Sequence, residues 1–282
     1  MKLLRYGPKG QEKPGLLDGA GRIRDLSGVV ADIGPELLAP AALDRLRRTD
    51  PGSLPLVPGN PRLGPCLARI PKLVCVGLNY TDHAKETGAQ IPKEPILFMK
   101  ATSAINGPND DVMLPKSSQK GDWEVELGVV IGAETRYVAV HDALKHVAGY
   151  CIVNDVSERE FQIERGGQWT KGKSCDTFCP IGPWLVTADE VPDPQKLELL
   201  CEVNGKAMQK GTTANMIFGV AHLVSYISHF MTLLPGDVIP TGTPAGVGLG
   251  MKPPTFLKPG DTMRLAITGL GEQRQKVVAF AE

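Results

Sequence analysis

The sequence predicts an α+β fold with mixed sheets, and three observations support this prediction. Glycine (32) and proline (24) are frequent among the 282 residues, whereas aromatic residues make up only 5%. That balance predicts many turns between short strands, not a helical bundle. Short apolar runs recur along the chain with few helical patterns between them, and a chain of this length can bury a large core.

Composition argues against several partners and locations. Lysine and arginine together total 31, as do aspartate and glutamate, so the net charge is zero. This balance gives no indication of a nucleic-acid or membrane surface. No apolar run approaches the roughly 18 to 20 residues of a membrane span, and MKLLRYGPKGQ lacks the apolar segment of a signal peptide. Six scattered cysteines without a C-x-x-C pair fit buried thiols in a reducing compartment. We therefore expect a cytoplasmic protein.

The first 68 residues are predicted to form a small β-rich domain. LLDGAGRIRDLS (16–27) predicts two strands around a turn. PAALDRLRR (40–48) has a helical apolar pattern with proline first. Five prolines in residues 51–65 exclude regular structure there. We place a domain boundary near residue 68, with a larger domain at 69–282.

Strands dominate the prediction for the larger domain. The predicted strands are KLVCVGL (72–78), ILFMK (96–100), EVELGVVIG (124–132) and AGYCIVNDVS (148–157), with hairpins at LELLCEVNGKAM (197–208) and RLAITGLGEQRQKVVAF (264–280). The first hairpin turns at Asn204-Gly205, a strong hairpin signal. The predicted helices are HDALKHV (141–147) and FGVAHLVSYISHFMTL (218–233), the second of which Pro235-Gly236 stops.

Two glutamates begin the strand at 124–132. Because side chains alternate between faces, Glu124 and Glu126 point the same way, about 6 to 7 Å apart. The opposite face, from Trp123 to Ile131, is apolar. The glutamate face continues as Gly, Val, Gly, and small residues permit close approach. A solvated sheet edge, a metal site and an acid–base pair all remain open at this point.

Asp155 adds a third carboxylate where the buried run at 149–157 ends. It is either a site residue or the N-cap of a following helix, SEREFQIER. If it lies beside the E-x-E strand, three carboxylates converge. Such a set with no histidine or cysteine selects a hard cation, Mg²⁺ or Mn²⁺ with Ca²⁺ as a further candidate.

From about residue 70 onward the chain resembles the fumarylacetoacetate hydrolase family. The motifs that carry the resemblance, in order, are VGLNYTDHAKE (76–86), FMK (98–100), WEVELGVVIG (123–132), NDVSEREFQ (154–162), KGKSCDTFCPIGPW (171–184), NG (204–205), PGDVIPTGTPAGVG (235–248) and PGD (259–261). The resemblance implies a β-roll core, a homodimer, and a divalent cation held by Glu124, Glu126 and Asp155. Residues 1–68 resemble the variable N-terminal portion of bacterial members.

The resemblance also implies an acid–base dyad of His83 and Glu86. Their spacing puts them on one helical face. Taken alone, His83 would be read as an exposed helical histidine, and the resemblance to the family motif outweighs that alternative. The helix, roughly residues 82–87, is short and suits a lid that orders over substrate. Asp82 is either a helix N-cap, which we favour, or a fourth metal ligand.

Further site residues follow from the same resemblance. Lys173 matches the site lysine, which would stabilise an enolate, while Lys171 is predicted to be solvated. Arg159 and Gln162 are predicted to bind a substrate carboxylate; the alternative is a surface helix pair. Lys100 and Thr243 match substrate-pocket positions.

Two glycine motifs and two histidines are assigned no chemistry. GVGLG (246–250) lacks the strand, helix and spacing of a dinucleotide loop, and TGTPAGVG contains no G-K-[ST] of a P-loop. His222 and His229 share a face of the long predicted helix and are read as packing or solvated residues.

The function that the resemblance implies is a metal-dependent hydrolase that cleaves a C–C bond in a 2,4-dioxo acid. The substrate would be an acylpyruvate or a 2,4-diketo-3-deoxy sugar acid, with 2,4-diketo-3-deoxy-L-fuconate weakly favoured. Rivals on the same scaffold are a ureidoglycolate lyase, an oxo-acid decarboxylase or tautomerase, and a hydroxymuconate-type isomerase. A catalytically inactive binding protein is the rival from another class; such a protein would be expected to lack His83 or Glu86.

Overall fold

Strands make up most of the regular structure in residues 1–281, the part of the chain that the computed structural model describes. In chain order they are β1 (Lys2–Tyr6), β2 (Lys13–Leu17), β3 (Ile23–Asp25), β4 (Leu73–Gly77), β5 (Ile96–Lys100), β6 (Ile105–Asn106), β7 (Val112–Met113), β8 (Gly121–Asp122), β9 (Val125–Ile131), β10 (Val147–Asn154), β11 (Ser157–Glu158), β12 (Cys179–Thr187), β13 (Glu198–Val203), β14 (Lys206–Thr212), β15 (Val238–Pro240), β16 (Thr262–Ile267) and β17 (Gly271–Val278). The α-helices are α1 (Pro35–Leu38), α2 (Pro40–Arg47), α3 (Thr81–Thr87), α4 (Thr170–Lys173) and α5 (Val220–Ser228). The predicted α+β class is confirmed.

Within residues 1–281, ten strands form one mixed sheet and five form a second. The first runs in the order β3-β2-β1-β12-β10-β9-β15-β4-β5, with β6 parallel to β12. The second runs β14-β13-β16-β17-β7, and β8 pairs with β11. Neither order closes into a barrel. Strands β9 and β10, which carry the acidic motifs, therefore lie inside the large sheet.

The N-terminal strands belong to this large sheet. Leu3 of β1 pairs with Leu185 of β12. Leu3 also shares an apolar cluster with Val130 and Cys151 from the middle of the sheet. The first residues thus contribute to the core that supports β9 and β10. The domain boundary near residue 68 stays a prediction.

Strand β9 separates two apolar clusters, as its alternating pattern predicts. The side chains that face one cluster are Trp123, Val125, Leu127, Val129 and Ile131. Val130 faces the other cluster. The small residues of that second face admit core neighbours and not a ligand: a Cβ on Gly128 would lie 2.7 Å from Val153 and 3.0 Å from the Cys151 sulfur.

The helical predictions were too long. Helix α5 ends at Ser228 although the apolar pattern continues to 233, because Leu233 instead forms a strand-like bridge with Thr135. The segment 141–147 forms only a 3₁₀ turn at Ala143–His146. No helix in residues 1–281 has the length and apolar character needed to cross a membrane.

The predicted hairpins at 197–208 and 264–280 are confirmed, whereas β12 was missed. Asn204 and Gly205 both have positive φ, 51° and 75°, as a tight hairpin turn requires. Strand β12 contains Pro180 and Pro183, and proline normally argues against a strand interior.

The cysteines are free thiols, as predicted. Five are buried, and Cys175 is half-buried.

Candidate active site

The register of β9 and β10 brings the three predicted acids together. Val125 pairs with Asn154 and Glu126 with Val153. One residue further, the Asp155 amide donates to the Glu124 carbonyl over 3.0 Å. Residues directly opposite in an antiparallel pair point to the same face. One carboxylate oxygen from each of Glu124, Glu126 and Asp155 accordingly lies within 4.8 Å of the others.

Two structural interpretations are wrong: the solvated sheet edge for Glu124 and Glu126, and the helix N-cap for Asp155. Glu124 and Glu126 are 6% and 2% exposed, and β9 lies between β10 and β15, so they do not form a solvated edge. Asp155 is fully buried and caps no helix. After β11 the chain forms a π-helical turn, Glu160–Glu164, whose N-cap is Arg159.

Three buried cations surround this acidic triad, defined as Glu124, Glu126 and Asp155. Lys173 Nζ lies 2.7 Å from Glu124 Oε2 and 2.8 Å from Asp155 Oδ2. Lys100 Nζ lies 2.5 Å from Asp155 Oδ1. Arg159 Nη2 lies 2.8 Å from Glu124 Oε1. Two of the three carboxylates are therefore paired with protein cations.

The two glutamates differ in their electrostatics. Burial raises the pKa of Glu124, but Lys173 and Arg159 outweigh burial and lower that pKa to about 2. Burial and repulsion by Asp155 and Glu124 raise the pKa of Glu126 well above its usual value. Within residues 1–281 Glu126 forms no ion pair; it accepts a hydrogen bond from the Gly242 amide at 2.9 Å. Among the described residues, Glu126 is thus the member of the triad without a direct ion pair, although the charge of Lys173 acts on it from further away.

The donor set fits a hard divalent cation. Three carboxylates supply oxygen ligands, which suit Mg²⁺, Mn²⁺ or Ca²⁺. One more positive charge at the triad would relieve the repulsion that Glu126 receives from Asp155 and Glu124. Among the described residues, Asp82 is not in this group, which gives no support to a fourth ligand there.

Helix α3 carries the predicted dyad. His83 Nδ1 lies 3.2 Å from Glu86 Oε2. The other oxygen of Glu86 accepts from the Gly246 amide at 2.9 Å. His83 is close enough to the triad for its charge to lower the pKa of Glu124. The bond from the Gly246 amide holds Glu86 against the loop that follows β15.

The start of α3 is fixed by Asn79. Its side-chain amide donates to the carbonyls of Phe218 and Thr241 at 3.0 and 2.8 Å, and its oxygen accepts from the Phe218 amide at 2.9 Å. Thr241 precedes Gly242, which bonds Glu126. One buried amide thus ties the dyad helix to the loop that contacts the triad.

The N-cap assignment of Asp82 is wrong. Helix α3 begins at Thr81, and its N-cap residue is Tyr80. Asp82 lies in the first turn and accepts from the His83 amide at 2.8 Å. The helix was predicted over roughly residues 82–87, one residue later than its start at Thr81, which placed Asp82 at the helix start instead of inside the first turn.

The predicted substrate residues are buried around the triad. Arg159 and Gln162 are each 5% exposed and bonded to each other at 2.9 Å, so they are not a surface helix pair. The Thr243 hydroxyl donates to the Val125 carbonyl at 2.9 Å. Lys100 contacts Asp155. Their contacts with substrate stay predictions. Lys171 is exposed, as expected.

Two buried polar residues near the site were missed by sequence reasoning. Asp122 is fully buried and pairs with Arg159. Its signal was present, because positions 122, 124 and 126 share one strand parity. The Tyr80 hydroxyl is buried without a hydrogen-bond partner in the described chain; nothing in the sequence distinguished it from a core aromatic residue.

Comparison with known proteins gives consistent relatives. The family profile "Fumarylacetoacetate (FAA) hydrolase C-terminal" matches residues 72–278. A provisionally named hydrolase of Burkholderia cenocepacia (strain HI2424) is 63% identical over 277 residues, 98% of each chain. The solved fumarylacetoacetate hydrolase of Exiguobacterium antarcticum is 37% identical, with a TM-score of 0.88 over 99% of this chain and 100% of that one. The maleylpyruvate hydrolase of Sphingobium sp. SYK-6, solved with manganese(II) and pyruvate, is 29% identical with a TM-score of 0.82 over 100% of both chains.

Proposed function

The chain belongs to the fumarylacetoacetate hydrolase family, and on that premise we propose that it is a divalent-metal-dependent hydrolase that cleaves a C–C bond in a 2,4-dioxo acid. The observation that carries the proposal is the acidic triad with Lys173 bridging two of its members at 2.7 and 2.8 Å. A relative solved with manganese(II) and pyruvate supports both the metal and the 2-oxo acid.

Glu124, Glu126 and Asp155 would hold Mg²⁺ or Mn²⁺. When bound, the ion supplies Lewis-acid polarisation and a template for the 2-oxo acid end of the substrate. The formal charges of the site support an anionic substrate. The triad and Asp122 carry four negative charges, and Lys100, Lys173 and Arg159 carry three positive ones. A dication would bring the sum over these seven side chains to +1, which favours the binding of a carboxylate beside Lys173 and Arg159.

The dyad would activate water. Glu86 orients the imidazole through its bond to Nδ1, which leaves Nε2 of His83 to accept a proton from water. The resulting hydroxide adds to the carbonyl at C4. The bond between C3 and C4 then breaks, releasing one carboxylic acid and the enolate of a 2-oxo acid. Protonation of that enolate at C3 completes the reaction, so one water is consumed per bond cleaved.

Lys173 would stabilise the enolate. An ammonium has three N–H donors, and two of them are directed at Glu124 and Asp155. The third remains for an oxygen that gains negative charge as the C–C bond breaks. Burial lowers the pKa of Lys173, but the charges of Asp155 and Glu124 outweigh burial and raise it above its usual value, so the group would act as a positive charge and not as a base.

A product assay tests this function. The purified protein is treated with EDTA, reloaded with Mg²⁺ or Mn²⁺, and offered acylpyruvates, diketo-deoxy sugar acids, oxaloacetate and ureidoglycolate, with products identified by NMR. We expect a 2-oxo acid plus a second acid from a 2,4-dioxo substrate, only with metal. Carbon dioxide, glyoxylate or a single isomerised product would instead identify the decarboxylase, the ureidoglycolate lyase or the isomerase. The homodimer and the cytoplasmic location also stay proposals.

A further inference from the structure

The GVGLG turn, residues 246–250, receives two carboxylates of the chain itself. The Gly248 and Leu249 amides donate to the two oxygens of Asp122 at 2.7 and 3.0 Å. The Gly246 amide donates to Glu86 at 2.9 Å. This glycine-rich stretch, which lacks the context of a nucleotide-binding loop, thus binds two carboxylate side chains of the chain itself.

The glycines make this close approach feasible. Gly246 has φ +105°, and a Cβ there would lie 2.0 Å from the Met208 carbonyl oxygen. A Cβ on Gly248 would lie 2.8 Å from Asp122 Oδ1, and one on Gly250 would lie 2.4 Å from the Glu86 carboxyl carbon. Side chains at these positions would push both carboxylates away from the turn.

Asp122 connects the turn to the acidic triad. Its Oδ2 accepts from Arg159 Nε at 2.8 Å and lies 2.7 Å from Arg159 Nη2. The same Nη2 lies 2.8 Å from Glu124. Its Oδ1 also accepts from the Trp123 amide at 2.8 Å. A carboxylate with 0% exposure is therefore bonded on both sides, to the turn and to the arginine.

We propose that Asp122 is a positioning residue that fixes the GVGLG turn, and with it Glu86, relative to Arg159 and Glu124. Two parts of the site lie on different elements: the dyad on α3 and the triad on β9 and β10. Asp122 connects them: it binds the turn that holds Glu86, and it binds Arg159, which contacts Glu124. Its catalytic consequence rests on the proposed function, whereas the mechanical coupling does not.

Hydrogen exchange tests the coupling directly. In Asp122→Asn one oxygen becomes an amide nitrogen, which cannot accept from Arg159 or Leu249. We expect amides of residues 81–87 to exchange at least about 10-fold faster than in the wild type, measured with saturating Mn²⁺ and oxalate, the state in which α3 is expected to be ordered. Unchanged exchange at 81–87 would overturn the proposal.

Asp237→Asn is the matched control. Asp237 is also fully buried, accepts from the Leu234 amide at 2.7 Å and pairs with Lys72 at 2.6 Å. The same chemical change there should leave exchange at 81–87 as in the wild type. An equal acceleration in both variants would mean general destabilisation and would also overturn the proposal.

A double-mutant cycle tests the catalytic consequence. Replacing a supporting partner typically costs 10- to 100-fold in activity, and we expect this loss of kcat for Asp122→Asn. In the Glu86→Gln background the further loss should be much smaller, because the two residues act through one turn. If Asp122→Asn lowers kcat by the same factor in the wild type and in the Glu86→Gln background, the two residues act independently and the coupling is contradicted. If the wild type cleaves no dioxo acid, the proposed function fails while the exchange experiment still judges Asp122.

Trp123→Phe keeps the proposal testable if Asp122→Asn does not fold. The indole N–H donates to the Gly246 carbonyl at 3.0 Å, so this variant loosens the same turn and keeps an aromatic ring in the core. It should also accelerate exchange at 81–87. If amides 81–87 exchange in this variant at the wild-type rate, the GVGLG turn does not hold Glu86 in position and the proposal is contradicted.

Discussion

Asp155 lies directly across from Glu124, because its amide donates to the Glu124 carbonyl over 3.0 Å. This single ladder bond decides that both carboxylates point to the same face. A slip of one residue in the β9–β10 register would send one set of side chains to the opposite face. The site is therefore a product of strand pairing and not of a local loop.

Glu126→Gln should abolish tight metal binding and leave the fold intact. Glu126 has no ion pair within residues 1–281, and its carboxylate accepts a hydrogen bond from the Gly242 amide. Removal of its charge therefore leaves no lysine or arginine without its ion-pair partner. At 100 times Kd, Mn²⁺ should stabilise the wild type by about 2.7 kcal/mol and the variant by much less. Denaturant unfolding with and without Mn²⁺ measures this; equal stabilisation of both proteins would show that the ion binds elsewhere.

His83→Ala should lower kcat by about 10²- to 10⁴-fold, the usual contribution of general acid–base catalysis. Its affinity for Mn²⁺, measured by calorimetry, should stay that of the wild type because His83 is not in the acidic group. His141→Ala is the control, since the His141 side chain is 81% exposed. A hydrolysis rate that survives the loss of His83 would favour decarboxylase or tautomerase chemistry.

Helix α3 should become ordered when ligand binds. Of its apolar side chains only Ala84 is buried, and Ile91 is 60% exposed, so substrate contacts must offset an ordering cost of roughly 1 to 2 kcal/mol per residue. Amides of residues 81–88 should exchange fast with metal alone and slowly with metal plus oxalate. Residues 89–92 should exchange fast in both states. Equal protection of α3 in both states would indicate a preformed site.

Lys100→Met should destabilise the metal-free protein by about 3 to 5 kcal/mol, the cost of breaking a buried ion pair. Lys100 contacts Asp155 at 2.5 Å and is fully buried, so its loss leaves one oxygen of Asp155 without its ammonium. Saturating Mn²⁺ should recover part of this loss by replacing the missing charge. The exposed Lys171→Met should change stability by less than about 0.5 kcal/mol. A loss for Lys100→Met that Mn²⁺ does not reduce would contradict this account.

Glu12→Gln should destabilise the protein at neutral pH but not in acid. Burial raises the pKa of Glu12, but hydrogen bonding and charge from Arg62 and Arg5 outweigh burial and lower it. A lowered folded-state pKa contributes stability above the unfolded value of 4.5, which is lost as pH falls through the folded value. The pair is partly exposed, so we expect no more than about 1 kcal/mol. Unfolding curves at pH 7 and pH 3 measure it; equal differences at both would refute the assignment.

Sequence predicted those features that depend on alternation and turn chemistry. The two faces of β9, the hairpin at Asn204-Gly205 and the convergence of Glu124 with Glu126 all follow from a period of two residues. The position of Asp155 could not be predicted from alternation alone, since only the pairing register of β9 and β10 places it opposite Glu124. The roles of the dyad and of the cations came from resemblance and stay predictions.

Features that depend on tertiary context were misjudged. Strand β12 contains two prolines and was missed, because a local rule opposed a strand that is fixed by β1 on one side and β10 on the other. Helix α5 was predicted too long because Leu233 bridges Thr135 instead. The parity of position 122 with 124 and 126 could have drawn attention to Asp122, but its five donors come from residues 123, 159, 248 and 249, and its link to the GVGLG turn follows from no spacing in the sequence.

The pairing of β1 with β12 affects how the protein is made. Leu3 leaves the ribosome long before its partner Leu185 is synthesised, a delay of roughly 10 to 40 s at about 5 to 20 residues per second. During that time the edge of β1 that will pair with β12 is unpaired, next to the apolar residues Leu3 and Leu4, and such an edge can pair with another chain. The order of synthesis therefore leaves the β1 edge open until β12 has been made.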